Sequence, residues 1–164
     1  MYAGILPYAV HRGNLWLLLG RERAFPDFPG SNLWAPFGGG VERGESLEDA
    51  ALREGYEETM GIFGTPAQLR AKVDPVPWRH RGGLTRLLRV RYDRSLPAYF
   101  RRFYRYTTHC RKDCEGWYEK TAVQWFRLED VLHPSRIAMR PEFRRTLRSL
   151  QRHLAAQHSQ IHRH

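Results

Sequence analysis

Three glutamates, Glu54, Glu57 and Glu58, stand at positions i, i+3 and i+4, the spacing that places side chains on one face of a helix. Running that face backwards reaches Ala51, Ala50 and Leu47, so the acidic cluster continues a row of small and apolar residues that a core should partly cover. Two carboxylates about 5 Å apart repel by roughly 3 kcal/mol at an effective dielectric of 20, and like charges one turn apart are unfavourable even on an exposed helix. A compensating cation is therefore expected. A hard divalent ion suits the donors, because Mg²⁺ uses a few carboxylates and shares its other positions with water and phosphate oxygens. Upstream, Gly38-Gly39-Gly40 offers backbone without side chains that can approach a metal or phosphate, and Gly44-Glu45-Ser46 tightens the turn into the helix.

The elements that must position this cluster are legible in outline. Ser46 with Asp49 three residues on resembles a capping box with Asp in place of Glu, so a helix is expected from Ser46 to about Met60, with Gly61 as the left-handed residue at its end. Residues 3–10 and 14–20 are apolar and β-compatible around His11-Arg12-Gly13-Asn14, which predicts a hairpin. A short strand is expected at 32–35, a loop-rich region at 64–83 with one strand near 69–73, and a longer strand at 84–92. Further on, a helix at 96–106, a strand at 117–126, a helical turn at 128–132 and a basic helix at 141–156 complete the pattern. Interspersed strands and helices favour a layered α/β or α+β fold over a bundle or barrel.

At 164 residues with 41% hydrophobic and 27% charged content, the chain has material for one core and lacks the profile of a disordered segment. No run approaches the roughly 18 apolar residues of a membrane span. MYAGILPYAV has no basic start and breaks its apolar run at Pro7, so no secretion signal is read. Cys110 and Cys114 would close only a tiny loop. A reducing, intracellular and cytoplasmic setting is the expectation. The net charge is +10, and all cations except Lys72, Lys112 and Lys120 are arginines. Guanidinium forks suit a polyanionic partner, while genome base composition explains such a bias equally well.

Gly39, five residues, Glu45, seven residues, then Arg53-Glu54-Gly55-Tyr56-Glu57-Glu58 resembles the Nudix box, G-x5-E-x7-R-E-U-x-E-E-x-G-U with U aliphatic. The preceding Trp34-Ala35-Pro36-Phe37-Gly38-Gly39 resembles the lead-in strand of that family. Three departures touch packing and the helix exit. Gly55 stands at the aliphatic position, Met60 stands where the box has Gly, so that Gly61 and Ile62 come one residue late, and Pro36-Phe37 reverses the usual order. Every charged position of the box is filled.

The resemblance implies an α/β/α sandwich with a mixed central sheet over roughly residues 1–150; the length predicts one domain over 1–164, and the terminal His158, His162 and His164 predict a loose tail at about 157–164. The resemblance also implies hydrolysis, dependent on Mg²⁺ or Mn²⁺, of a nucleoside diphosphate linked to another moiety. Carried over by position, Glu54, Glu57 and Glu58 would be metal ligands and catalytic residues, the Gly39 carbonyl a further ligand, and Arg53 with Glu45 the charge pair that orients them. For the general base, Glu119 is the candidate outside the box, because Glu119-Lys120-Thr121-Ala122-Val123-Gln124-Trp125 resembles a segment beside the active site in many members. Glu57 and Glu58 are alternatives, and a plain surface role for Glu119 is the competing reading.

For the substrate, residues 79–112 hold eleven Arg and Lys against the single acid Asp93, interleaved with Tyr92, Tyr99, Phe100, Phe103, Tyr104 and Tyr106. Such a block suits phosphate contacts with base stacking, with Arg101, Arg102 and Arg105 as candidates, while an amphipathic helix with aromatics in the core and arginines in solvent accounts for it too. Arg144, Arg148 and Arg152 recur every four residues, the mark of a wet helix face. Trp34, Trp78 and Trp117 are candidate stacking partners for a base. Residues 96–126 loosely resemble Nudix proteins of large DNA viruses, among which mRNA decapping is known, so capped RNA joins the candidate substrates. Small nucleotides such as nucleotide sugars, dinucleoside polyphosphates or damaged triphosphates form the alternative. A non-catalytic RNA-binding module and a zinc site using His80, His109, Cys110 and Cys114 are the readings of other classes.

Overall fold

The computed structural model describes residues 1–110 and 116–161. The hairpin forms as expected: β1 (Tyr2–His11) and β2 (Asn14–Glu22) pair antiparallel about Arg12 and Gly13. Both turn residues have positive φ, +50° and +75°, as the tight hairpin turn compatible with strand twist requires. The two strands pair only near that turn, from Tyr8↔Leu17 to His11↔Asn14, and then part. Into the fork run β3 (Trp34–Ala35), paired with β2, and β4 (Phe37–Gly40), paired with β1. Pro36 between them lacks an N–H for either ladder.

On its other edge β1 pairs parallel with β6 (Gly83–Arg89), which pairs antiparallel with β5 (Trp78–His80). The free edge of β2 takes β7 (Lys120–Arg127). The seven strands make one mixed sheet, and the period of two along each strand divides its core. Ile5, Ala9, Leu18 and Leu88 face one layer, whereas Leu6, Tyr8, Leu17, Leu19 and Leu87 face the other. Helices α1 (Leu47–Glu58), α2 (Pro66–Lys72) and α3 (Leu96–Cys110) cover the first face. Helices α4 (Leu128–Leu132) and α5 (Pro141–Ile161) cover the second, α5 through Phe143, Leu147, Leu150 and Leu154. This is the expected α/β/α sandwich.

The strand expected near 69–73 is not there. Those residues lie in α2, started by a full capping box: Thr65 accepts from the Gln68 N–H, Gln68 accepts from the Thr65 N–H, and Pro66 follows the cap. Helix α5 continues past Ala156 to Ile161, through part of the stretch expected as a tail, and residues 162–164 lie outside the described set. Among the described residues no helix is long and apolar enough to cross a membrane.

Candidate active site

Helix α1 carries the acidic cluster, and its start is fixed as its sequence suggests: the Ser46 hydroxyl accepts from the Asp49 N–H at 3.0 Å. The helix ends at Glu58 with Thr59 as cap. Met60, at φ +52°, takes the left-handed position ahead of Gly61 at φ +70°. The Met60 and Gly61 N–H groups donate to the Glu57 and Tyr56 carbonyls, closing a Schellman motif. Met60 therefore does the backbone work of the missing glycine. Its side chain is buried, with the Thr107 hydroxyl 3.6 Å from the sulfur, and that packing offsets a left-handed penalty of roughly 1–2 kcal/mol. Gly55 also has a reason: a Cβ there would come within 2.8 Å of the buried Ile5 side chain, which already fills the space.

Arg53 is the centre of the cluster. Its Nε and Nη2 donate to the two Glu45 carboxylate oxygens at 3.0 and 3.1 Å, and its Nη1 donates to Glu54 at 3.0 Å and Glu57 at 3.1 Å. Glu42 lies 4.0 Å away. Four carboxylates thus surround one guanidinium. The Glu54 carboxylate lies against Gly39, where a Cβ would come within 2.7 Å of its oxygen, so the box glycine is needed for close approach.

Glu58 points inward and is 1% exposed. Its carboxylate accepts the Gly38 N–H and lies 3.4 Å from the Lys120 ammonium, which donates to Glu22 at 2.6 Å. Arg140, from the start of the α5 layer, reaches the same Glu22 oxygen at 3.3 Å. A chain Glu58–Lys120–Glu22–Arg140 therefore passes through the fork between β1 and β2. Lys120, Glu22 and Arg140 are absent from the sequence-based candidates. They come together because the β2–β7 register places Glu22 opposite Lys120, and no local pattern announces that.

The electrostatics follow from this packing. Burial pushes the Glu58 carboxyl well above the ordinary glutamate range, against the pull of Lys120. Burial also raises Glu54 and Glu57, with Arg53 opposing. Glu45 is held low by its bonds to Arg53. Glu119 is exposed just before β7, yet its charge is among the causes that raise all three glutamates of α1, so it borders the cluster.

The remaining expected residues lie elsewhere. Arg101, Arg102 and Arg105 are exposed on α3, apart from the Arg53 network. On that helix Phe100 is core, whereas Tyr99 and Tyr106 are 55% and 67% exposed. Trp34 is on the α5 face, edge-on to Phe126 at 5.1 Å, and Trp117 packs on Tyr56. Trp78 lines a cleft of about 460 Å³ at the fork on the α5 side, with His80, Phe143, Arg81, Arg140 and Arg145. Arg144 is not merely wet, since it donates to the Pro134 and Ile137 carbonyls, while Arg148 and Arg152 are exposed. His80 meets Thr85 and His109 meets the Arg105 carbonyl, whereas Cys114 and the Cys110 side chain lie outside the described residues.

The donor set can be tested against a divalent cation. Glu42, Glu45, Glu54 and Glu57 share a single positive side chain, which leaves an excess of negative charge on hard oxygen donors. That chemistry fits Mg²⁺ or Mn²⁺. Among the described residues no three His, Cys, Asp or Glu side chains are already gathered at metal-binding spacing; Arg53 stands between the carboxylates.

Comparison with known proteins agrees with this geometry. The NUDIX domain family model matches residues 2–150. Solved structures of similar fold include an Ap4A hydrolase of C. elegans, 23% identical over 94% of this chain and 97% of that one, with a TM-score of 0.53. A mutT/nudix family protein from Listeria innocua is 17% identical over 95% and 94%, with a TM-score of 0.55. The NUDIX domain of NrtR from Shewanella oneidensis, complexed with ADP ribose, is 17% identical over 93% and 86%, with a TM-score of 0.51. At these identities the likeness is one of fold. No match is found among curated proteins.

Proposed function

The chain belongs to the NUDIX domain family and is a hydrolase of pyrophosphate bonds; from that premise we propose that it cleaves a nucleoside diphosphate linked to an RNA chain, as in an mRNA cap, with Mg²⁺ or Mn²⁺. The observation that carries the chemistry is the convergence of Glu54 and Glu57 on Arg53 beside Gly39. Glu54, Glu57 and Glu58, with the Gly39 carbonyl, would hold the metal, which supplies charge neutralisation at the phosphates and a more acidic bound water. Arg53, braced by Glu45, holds Glu54 and Glu57 in place. Glu119 takes the proton of the attacking water from the rim of the cluster, where its charge is already felt by the α1 glutamates.

The RNA portion is supported by α3, where Arg101, Arg102 and Arg105 share the exposed surface with Tyr99 and Tyr106, a combination that serves phosphate contact and base stacking. The second reading, hydrolysis of small nucleotides, is favoured by the cleft of about 460 Å³ lined by Trp78, His80 and Phe143. That cleft has the volume class of small-ligand sites.

The test is a competition assay with Mg²⁺ in which cap-labelled RNA is offered together with free nucleoside diphosphate derivatives. Release of the capping nucleoside diphosphate supports the RNA reading, and turnover of the free nucleotides alone replaces it with the second. If nothing is turned over, both substrate readings fall. Glu57→Gln is expected to lower turnover by orders of magnitude while the melting temperature holds.

A further inference from the structure

The end of the sheet remote from the glutamates carries a second charged cleft. It has a volume of about 610 Å³ and is formed at the β1–β2 turn, with Arg12, Arg91, Arg94 and Arg127 around Trp16 and Tyr92. Among the described residues Arg12, Arg91 and Arg94 are in no ion pair. Arg127 meets Glu129 at 3.3 Å, and its guanidinium lies 5.3 Å from the Trp16 ring centroid. The acid of the cleft, Asp93, is engaged by the Ser95 N–H and hydroxyl, both at 2.7 Å.

The aromatic wall is built rather than incidental. Tyr92 is stacked on His11 at 4.4 Å and leans on Trp16 at 5.1 Å and Trp125 at 5.3 Å. The Trp16 indole N–H is buried with no hydrogen-bond partner among the described residues. Arg12 occupies a left-handed turn position, φ +50°, where Asn, Asp or Gly is the usual choice. An arginine there is held at a backbone penalty of roughly 1–2 kcal/mol, and its position brings a fourth guanidinium to the rim.

The distance to the glutamates follows from the strand. Ala3 pairs with Gly39 and His11 with Asn14, so the cleft and the cluster lie about 26 Å apart at about 3.3 Å per residue. Helix α3 spans that gap. It starts beside the cleft, where the Asp93 carbonyl accepts the Trp125 indole N–H at 2.9 Å, and its later turns reach the end of α1 through Thr107 and Met60. Its exposed residues include Arg101, Arg102, Arg105, Tyr99 and Tyr106.

We propose that the cleft at the β1–β2 turn binds the body of a single-stranded RNA whose 5′ end is processed at the glutamates, α3 forming the track between them. This rests on the reading of the substrate as capped RNA. Arg12, Arg91 and Arg94, in no ion pair among the described residues, supply phosphate contacts, and the Tyr92–Trp16 wall supplies stacking; together they distinguish a strand with exposed bases from a bare polyanion.

The test is fluorescence anisotropy of the full chain with a labelled 20-nucleotide single-stranded RNA and with a 4-nucleotide one, over a salt series. Wild type is compared with the triple substitution Arg12→Ala, Arg91→Ala, Arg94→Ala, which affects exposed side chains outside the glutamate cluster. Expected are a loss of affinity of about tenfold or more for the long RNA, little change for the short one, and a log–log salt slope lower by about two, at roughly 0.7 per lost phosphate contact. Hydrolysis of a cap dinucleotide, too short to reach the cleft, and the melting temperature should stay as in wild type. Unchanged affinity and salt slope for the long RNA overturn the proposal, as does inorganic polyphosphate competing as well as RNA per phosphate. If wild type binds long RNA through the cleft but releases nothing from its cap, the substrate reading falls while the cleft stands as an RNA site. If it decaps and the triple variant binds normally, the cleft alone falls.

Discussion

Arg53 and Glu45 meet in a two-pronged ion pair, Nε to one carboxylate oxygen at 3.0 Å and Nη2 to the other at 3.1 Å, which leaves Nη1 to hold Glu54 and Glu57. One rigid fork therefore sets three carboxylates at once. A lysine keeps the charge but cannot make both pairs of contacts. Arg53→Lys is expected to reduce turnover by about 10–100-fold, the usual scale for losing a residue that orients metal ligands. Raising Mg²⁺ should restore part of the rate. A wild-type rate at low Mg²⁺ would show that the fork positions nothing.

Gly55 faces Ile5 so closely that any side chain overpacks the α1–β1 contact. Overpacking costs typically about 1–3 kcal/mol, against about 1 kcal/mol that alanine gains over glycine inside a helix. Gly55→Ala alone should therefore destabilise. In an Ile5→Ala background the same change should stabilise by about 1 kcal/mol, since the obstructing atoms are gone. Urea unfolding of the four proteins checks the reversal of sign.

Lys120 is fully buried between Glu22 and Glu58. Removing one member of such a group strands the others, at about 3–5 kcal/mol. Lys120→Met should lower the unfolding free energy on that scale, and adding Glu58→Gln should recover part of it. Equal stability of the single and double variants would show that Glu58 does not depend on this lysine.

His80 is held below the ordinary histidine value of 6.5 by burial, and its Nδ1 has no hydrogen-bond partner among the described residues. Between the lowered value and 6.5 the unfolded chain takes up a proton that the folded chain refuses. Stability is then complete above about 6.5 and is lost as pH falls through that window. His153 shifts the same way for the same reason. His80→Phe should flatten the fall in unfolding free energy between pH 7 and 5, read from denaturant curves at each pH.

How much was legible in the sequence depends on how local each signal is. The cap at Ser46 and the hairpin at Arg12-Gly13 are set by neighbours within a few residues, and each appears where expected; of the three glutamates expected to act from one face, Glu54 and Glu57 meet at Arg53, whereas Glu58 turns inward to Lys120, which a distant strand supplies. Helix α2 was equally local, since Thr65-Pro66 and Gln68 spell a helix start, but the apolar Leu69 and Val73 draw the eye to a strand. The Lys120–Glu22 contact joins residues 98 apart and depends on the register of two strands. The departures at Gly55 and Met60 read as losses in the sequence, because Ile5 and Thr107, which explain them, are supplied by other elements.

The parting of β1 and β2 lets Arg140, rooted in the α5 layer, touch Glu22, and through Lys120 connect with Glu58 on the opposite layer. A sheet usually insulates the helices on its two sides. Here a change in the charge of whatever lodges beside Arg140 reaches the field at Glu58, so the occupant of the α5 side and the charge state of a buried carboxylate on the α1 side are electrostatically tied.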